Sequence, residues 1–241
     1  MNDTSIKKIA IVLCAGRGNR MKSDIPKQFM LLETKPVVCY SLEVFENSKD
    51  IDDIIIVTGK EFLKYVKTDI VEKYGYSKVR AITEGGSERT FSVYNGIKAI
   101  EEQRKSHDEK VIVFIHDGAR PFVNEKIIED TLKDAIKYGA SVSAVRSKDT
   151  IKVADENGMV ASTPDRNTLW NIHTPQVFDF DIIYDAYSKL MESPRPVSDD
   201  AGVLEEFSDV KVKLTEGSYD NIKLTTPEDF SVALNIIKKT K

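Results

Sequence analysis

One stretch, Ile9 to Phe29, constrains this chain more than any other. It opens with a short, β-branched, uncharged run from Ile9 to Leu13, the pattern of a strand buried on both faces. The run ends in Cys14-Ala15-Gly16-Arg17-Gly18-Asn19-Arg20. Two glycines this close to a strand end mark a tight turn whose bare backbone N–H groups can face an anion. Arg20 adds a guanidinium fork suited to phosphate, and Lys27, stiffened by Pro26, adds a compact ammonium. The stretch therefore reads as a phosphate cradle with two separate cations. A P-loop needs four residues between its glycines and then Gly-Lys-Ser/Thr, which is absent here. A dinucleotide fingerprint needs a third glycine where this chain has Met21.

Composition narrows the partners. At 241 residues the chain is long enough for a sizeable α/β core. With 41% apolar and 31% charged residues it falls in the range of ordinary soluble globular proteins. A net charge of −4 argues against a general nucleic-acid binder, so phosphate must be met by a local cluster of cations. Two cysteines, Cys14 and Cys39, give no disulfide framework, and Cys14 reads as small buried filler rather than a nucleophile. No apolar run reaches the length of a membrane span. The polar start and the early stop at Arg17 argue against a signal peptide, which leads to the expectation of a cytoplasmic protein.

Along the chain, helical and strand patterns alternate. Helices are expected over Val37–Phe45, Glu61–Tyr74, Thr90–Ile100, Lys126–Tyr138, Ile182–Met191 and Val203–Phe207. Strands are expected over Ile54–Val57, Val79–Ile82, Val111–Ile115, Ser141–Val145 and Val210–Leu214. This βα alternation predicts a mainly parallel sheet with its ligand beyond the carboxyl ends of the strands. Two further loops follow strands. Gly85-Gly86-Ser87 leads to Ser92, whose hydroxyl and neighbouring backbone groups suit the edge of a base. Asp117, just past a strongly apolar strand and beside Gly118 and Arg120, suits Mg²⁺ or a sugar hydroxyl. Around Asp155-Glu156-Asn157-Gly158 the pattern changes to alternation, a hairpin signal with no helix to cover it. By itself Arg166 reads as a partner of Asp165, and Ser198 as a helix cap.

The Gly-rich loop with Arg20, Pro26-Lys27-Gln28, His116-Asp117-Gly118-Ala119-Arg120-Pro121, Asp165-Arg166-Asn167-Thr168-Leu169-Trp170 and Asn221-Ile222-Lys223 together resemble the sugar nucleotidyltransferases. Within them the chain is most similar to the 2-C-methyl-D-erythritol 4-phosphate cytidylyltransferase family of the non-mevalonate isoprenoid route. That resemblance implies a three-layer, Rossmann-like α/β nucleotidyltransferase fold in one domain over 1–241, with 146–174 as a projecting β-hairpin arm. It implies transfer of CMP from CTP to a polyol phosphate with Mg²⁺ and release of pyrophosphate. Arg20, Lys27, Arg166 and Lys223 are the implied catalytic cations. Cys14, Ala15, Gly16, Gly18, Gly85, Gly86, Ser87 and Ser92 would face CTP, with Ser87 standing where the family has a different polar residue. Asp117, Arg120, Thr150, Arg166 and Ser198 would face the second substrate, with Asp117 also the candidate metal ligand and Ser198 replacing the usual Thr. The arm implies a homodimer in which Arg166 reaches the neighbour's site.

Two alternatives stay open at this point. A ribitol 5-phosphate cytidylyltransferase would share the loop, the Pro-Lys-Gln and the Asn-Ile-Lys, but differ around Gly118-Ala119 and Asp165–Trp170. A non-catalytic nucleotide sensor would have discarded one of the four cations, yet all four are present.

Overall fold

The computed structural model describes residues 6–16, 25–104 and 106–240. Gly18 and Arg20 of the expected cradle lie outside the described residues. Eleven strands and seven α-helices follow one another in the described chain. Seven strands form the central sheet, in the order β11-β7-β10-β6-β1-β4-β5. These are β1 (Lys7–Cys14), β4 (Asp53–Thr58), β5 (Val79–Glu84), β6 (Val111–Asp117), β7 (Ala140–Arg146), β10 (Trp170–Asp179) and β11 (Lys213–Glu216). β10 pairs antiparallel with both β6 and β7, and every other pairing in this sheet is parallel.

Side-chain alternation along β1 explains the three layers. Ile9 and Ile11 face one side, where α3 (Arg89–Gln103), α5 (Phe180–Glu192) and α6 (Asp200–Phe207) cover them with Val93, Ile97, Ile183 and Leu204. Ala10 and Val12 face the other side, under α1 (Val37–Asn47), the helical segment 63–72, and α4 (Glu125–Tyr138). Both faces being covered, β1 and β6 are buried almost throughout, as the unbroken apolar runs require. A smaller cluster of Leu32, Val37, Leu224, Ala233 and Ile237 seats α7 (Pro227–Thr240) against β2 (Leu31–Leu32), which pairs with β3 (Lys35–Pro36).

The strand order reverses at β1, with β4 and β5 running outward on one side and β6 on the other. A crevice opens at such a reversal, beyond the carboxyl ends of the strands. Elsewhere the chain differs from expectation in a few places. The segment expected as one helix over Glu61–Tyr74 begins as a 3₁₀ turn, has α2 over Leu63–Tyr65, and winds as a π-helix over Val66–Glu72. The last strand starts at Lys213 rather than Val210. Asp199, not Ser198, caps α6, accepting from the Gly202 N–H at 2.9 Å.

The hairpin forms around the expected turn, as β8 (Val153–Ala154) and β9 (Val160–Ser162). Among the described residues these two strands pair only with each other, and they are exposed. Ile151, Val153, Met159 and Val160 all present apolar surface to solvent there. No helix among the described residues is long and apolar enough to cross a membrane.

Candidate active site

A cleft of about 720 Å³ lies at the carboxyl ends of β1 and β6. Three loops and the chain leading into α7 line it. Gly16, Lys27, Ser87, Arg89, Asp117 and Lys223 reach it from five separate parts of the sequence.

The first wall is the end of β1. Cys14 is buried, and its burial pushes the thiol pKa far above the ordinary value, which leaves it a neutral filler and no nucleophile. Lys27 opens a 3₁₀ turn, Lys27–Phe29, and is half-buried at the cleft. Phe29 anchors that turn, its ring centroid 5.2 Å from those of both Phe62 and Tyr65. Gln28, buried beside it, donates through Nε2 to the carbonyls of Cys14 and Gly16.

The second wall is the loop after β5. The Gly85 N–H donates to the Thr58 carbonyl at 2.8 Å, continuing the sheet one residue past its end. A Cβ at Gly85 would run into the Cβ of Ala15 and lie 2.9 Å from Ser92 Oγ. A Cβ at Gly86 would run into Phe91. Only glycine lets this loop approach the β1 loop so closely. Ser92 Oγ accepts from the Gly86 N–H and donates to the Glu88 carbonyl, both at 3.0 Å. It therefore shapes the loop from beneath, while Ser87 is exposed at its tip.

The floor is electrostatic. Asp117 ends β6 and is largely buried. Its Oδ2 lies 2.6 Å from Lys223 Nζ and 3.9 Å from Arg120 Nε, and its Oδ1 lies 3.3 Å from Arg89 Nε. Burial alone would raise its pKa, but the Arg89 and Lys223 cations outweigh that and hold the carboxyl well below the usual range. The Asp117 N–H donates to Thr174 Oγ1 at 3.1 Å.

Arg89 is a site residue that the sequence pattern did not single out. It opens α3 and makes a two-pronged pair with Asp200, at 2.8 and 2.7 Å. Asp200 is fully buried and also accepts from the Tyr187 hydroxyl at 2.6 Å. One guanidinium thus joins the end of β6 to the start of α6. Gln176 ties the same helix to β10, donating to Asp199 at 2.8 Å and accepting from the Ala201 N–H at 2.9 Å.

Arg120 sits below the cleft. Its guanidinium donates to the Asn221 carbonyl at 2.8 Å and reaches the Ile172 carbonyl at 3.5 Å. With the Leu224 N–H on the Ala119 carbonyl at 2.9 Å, this pins the segment that presents Lys223. His116 is fully buried between the Arg120 carbonyl and Thr174 Oγ1. Burial lowers its pKa to about 4, so it stays neutral at physiological pH and serves as a strut rather than a base.

Thr150, Arg166 and Ser198 are exposed and do not line this cleft. Arg166 follows the hairpin, and among the described residues its guanidinium donates to the Lys148 carbonyl, at 3.4 Å. The cleft therefore gathers Lys27, Lys223 and Asp117 from the sequence expectation, adds Arg89 and Gln28, and leaves the arm residues apart.

Comparison with known proteins agrees with this arrangement. The family model for 2-C-methyl-D-erythritol 4-phosphate cytidylyltransferase matches residues 8–239. The chain is 48% identical over 226 residues to the 2-C-methyl-D-erythritol 4-phosphate cytidylyltransferase of Lachnospira eligens, covering 93% of this chain and 96% of the relative. The Alkaliphilus oremlandii protein of that name is 44% identical over 96% of this chain and 95% of its own. Among solved structures, 4-diphosphocytidyl-2C-methyl-D-erythritol synthase from Anaerococcus prevotii superposes with a TM-score of 0.83 at 35% identity, covering 96% of both chains. The Francisella tularensis cytidylyltransferase gives 0.75 at 29% identity, over 94% of this chain and 98% of that one. By the family model that spans nearly all of it, its sheet order and these relatives, the chain belongs to the 2-C-methyl-D-erythritol 4-phosphate cytidylyltransferase family.

Proposed function

We infer that this protein transfers CMP from CTP to 2-C-methyl-D-erythritol 4-phosphate, giving 4-diphosphocytidyl-2-C-methyl-D-erythritol and pyrophosphate. The observation that carries the mechanism is the convergence of Lys27, Lys223, Arg89 and the ionised Asp117 carboxylate on one cleft. The attacking group is a phosphate oxygen, already ionised at neutral pH. No general base is needed, in keeping with the neutral, buried His116. What the reaction does need is to bring two anions together and to stabilise charge at the α-phosphate. Lys27, which lines the cleft, would meet the triphosphate and its leaving pyrophosphate, and Arg20 would share that task. Lys223, oriented by Asp117, would meet the incoming phosphate. Gly85, Gly86 and Ser87 are proposed to read the cytosine edge, on a loop that Ser92 holds in shape.

A divalent cation is expected to arrive with the triphosphate, where it would act as a Lewis acid on phosphate oxygens. Asp117 does not fit as its ligand. Its Oδ1 faces Arg89 and its Oδ2 faces Lys223, so a further cation there would be repelled by two already in place. No group of three or more His, Cys, Asp or Glu among the described residues is arranged to hold a metal.

We further propose a homodimer through the arm and a cytoplasmic location. The exposed Ile151, Val153, Met159 and Val160 support the first, because a two-stranded hairpin with apolar surface needs a partner. Arg166 and Thr150 would then complete the neighbour's site from the arm. The free, buried Cys14 and Cys39 are in keeping with a reducing compartment.

Mass spectrometry of the product tests the reaction. Incubation with CTP and methylerythritol phosphate should yield the cytidine diphosphate ester, and ATP or UTP in place of CTP should yield little. Light scattering of a variant lacking residues 152–162 tests the arm, with a monomer expected and an unchanged dimer contradicting it.

A further inference from the structure

We propose that Gln28 is a positioning residue for the nucleotide: its carboxamide holds the Cys14 and Gly16 carbonyls away from the triphosphate and fixes that end of β1 to the turn that carries Lys27. The inference rests on the cleft being the CTP site.

Gln28 is 2% exposed, yet it borders the cleft. Its Nε2 lies 2.5 Å from the Cys14 carbonyl and 3.1 Å from the Gly16 carbonyl. A primary amide has two N–H hydrogens, and both are spent on these two acceptors. The two carbonyls bracket Ala15, where β1 gives way to the glycine loop. A carbonyl turned into the cleft would repel phosphate oxygens, while an N–H turned into it attracts them. Holding the carbonyls on the protein side therefore settles which way this piece of backbone is polarised. The anchor itself is rigid. Pro26 is buried, its carbonyl accepts from the Phe29 N–H at 2.8 Å, and the Phe29 ring is seated against Phe62 and Tyr65. Lys27 thus keeps a fixed distance from the loop through its immediate neighbour. Neither Glu nor Met can substitute. Methionine donates nothing, and an ionised glutamate would add a third acceptor facing two.

The experiment compares wild type, Gln28→Met and Gln28→Glu as full chains. Calorimetry measures CTP binding without acceptor, and steady-state assays separate the KM for CTP from the KM for methylerythritol phosphate. Gln28→Met should weaken CTP binding at least tenfold, with the acceptor KM within twofold and the thermal midpoint within a few degrees. Gln28→Glu should be as weak at pH 8 but regain at least threefold over Gln28→Met by pH 5.5. A carboxyl pressed against two carbonyls protonates readily and can then donate. CTP binding by Gln28→Met within twofold of wild type would overturn the inference. So would an equal rise in both KM values with no pH-dependent recovery in the glutamate variant, which marks a merely structural side chain. If the wild type binds CTP without turnover, the proposed reaction fails while the binding comparison still decides the role of Gln28. If it binds no CTP, both fall.

Discussion

Lys223 Nζ lies 2.6 Å from Asp117 Oδ2, although 106 residues separate the two in sequence. The pair stitches the last segment of the chain to the end of β6, and it orients an ammonium toward the cleft. Arg89 approaches the other oxygen of the same carboxylate, so Asp117 is the hub on which two cations are hung.

The hub has a pH signature. The Asp117 pKa is held below its unfolded value of about 3.9. Its contribution to stability is therefore fully present above about pH 4 and is lost as pH falls toward the folded pKa. Asp117→Asn should be less stable than wild type at pH 7, and the gap should narrow below pH 4. Urea denaturation at pH 7, 4 and 3 checks this. A constant gap at all three would contradict it.

Arg89 and Asp200 should be coupled. Arg89→Met leaves Asp200 fully buried with only the Tyr187 hydroxyl, and uncompensated buried charges typically cost about 3–5 kcal/mol. Replacing both, as Arg89→Met with Asp200→Leu, should recover much of that loss. The recovered protein should still be impaired in turnover, because Asp117 has lost one of its cations. A double-mutant cycle on denaturation midpoints reads the coupling. Additive effects would remove the clamp from the account.

Gly85→Ala pushes a methyl group into Ala15 and toward Ser92 Oγ. Overpacking of this kind costs about 1–3 kcal/mol, and here it separates the two loops proposed to frame the nucleotide. The KM for CTP should rise more than that for the acceptor. Steady-state kinetics with each substrate varied in turn is the check.

Lys27→Ala removes the cleft ammonium proposed to meet the triphosphate. Turnover should fall by about 10²–10³, the usual effect of deleting one group that stabilises transition-state charge. CTP binding should persist in part through the backbone loops. Wild-type turnover in this variant would take Lys27 out of the mechanism.

Much of this was legible in the sequence because the signals were local. The buried strand before the glycine loop, the acid just past Ile115 and the alternation around Asn157-Gly158 each announce themselves within a few residues. β10 was not legible. His173, Thr174, Pro175 and Gln176 interrupt its apolar pattern, and the Thr174 and Gln176 side chains serve His116, Asp117 and Asp199 instead of the core. Arg89 and Asp200 were hidden for a different reason. Each looks like a polar residue at a helix start, and only the packing of α6 beside α3 turns them into a bridge. Gln28 lay inside a recognised motif, but its partners are backbone carbonyls that no pattern of side chains records. Arg166 and Thr150 stand apart from the cleft of their own chain, so their proposed role depends on a second copy.

The most direct test is pyrophosphate release with CTP and Mg²⁺, run side by side with methylerythritol 4-phosphate and ribitol 5-phosphate. The account predicts release with methylerythritol phosphate and little with ribitol phosphate. Release with ribitol phosphate alone would keep the cleft and its charge chemistry but contradict the acceptor. Silence with both, despite CTP binding, would contradict catalysis and point to a nucleotide sensor.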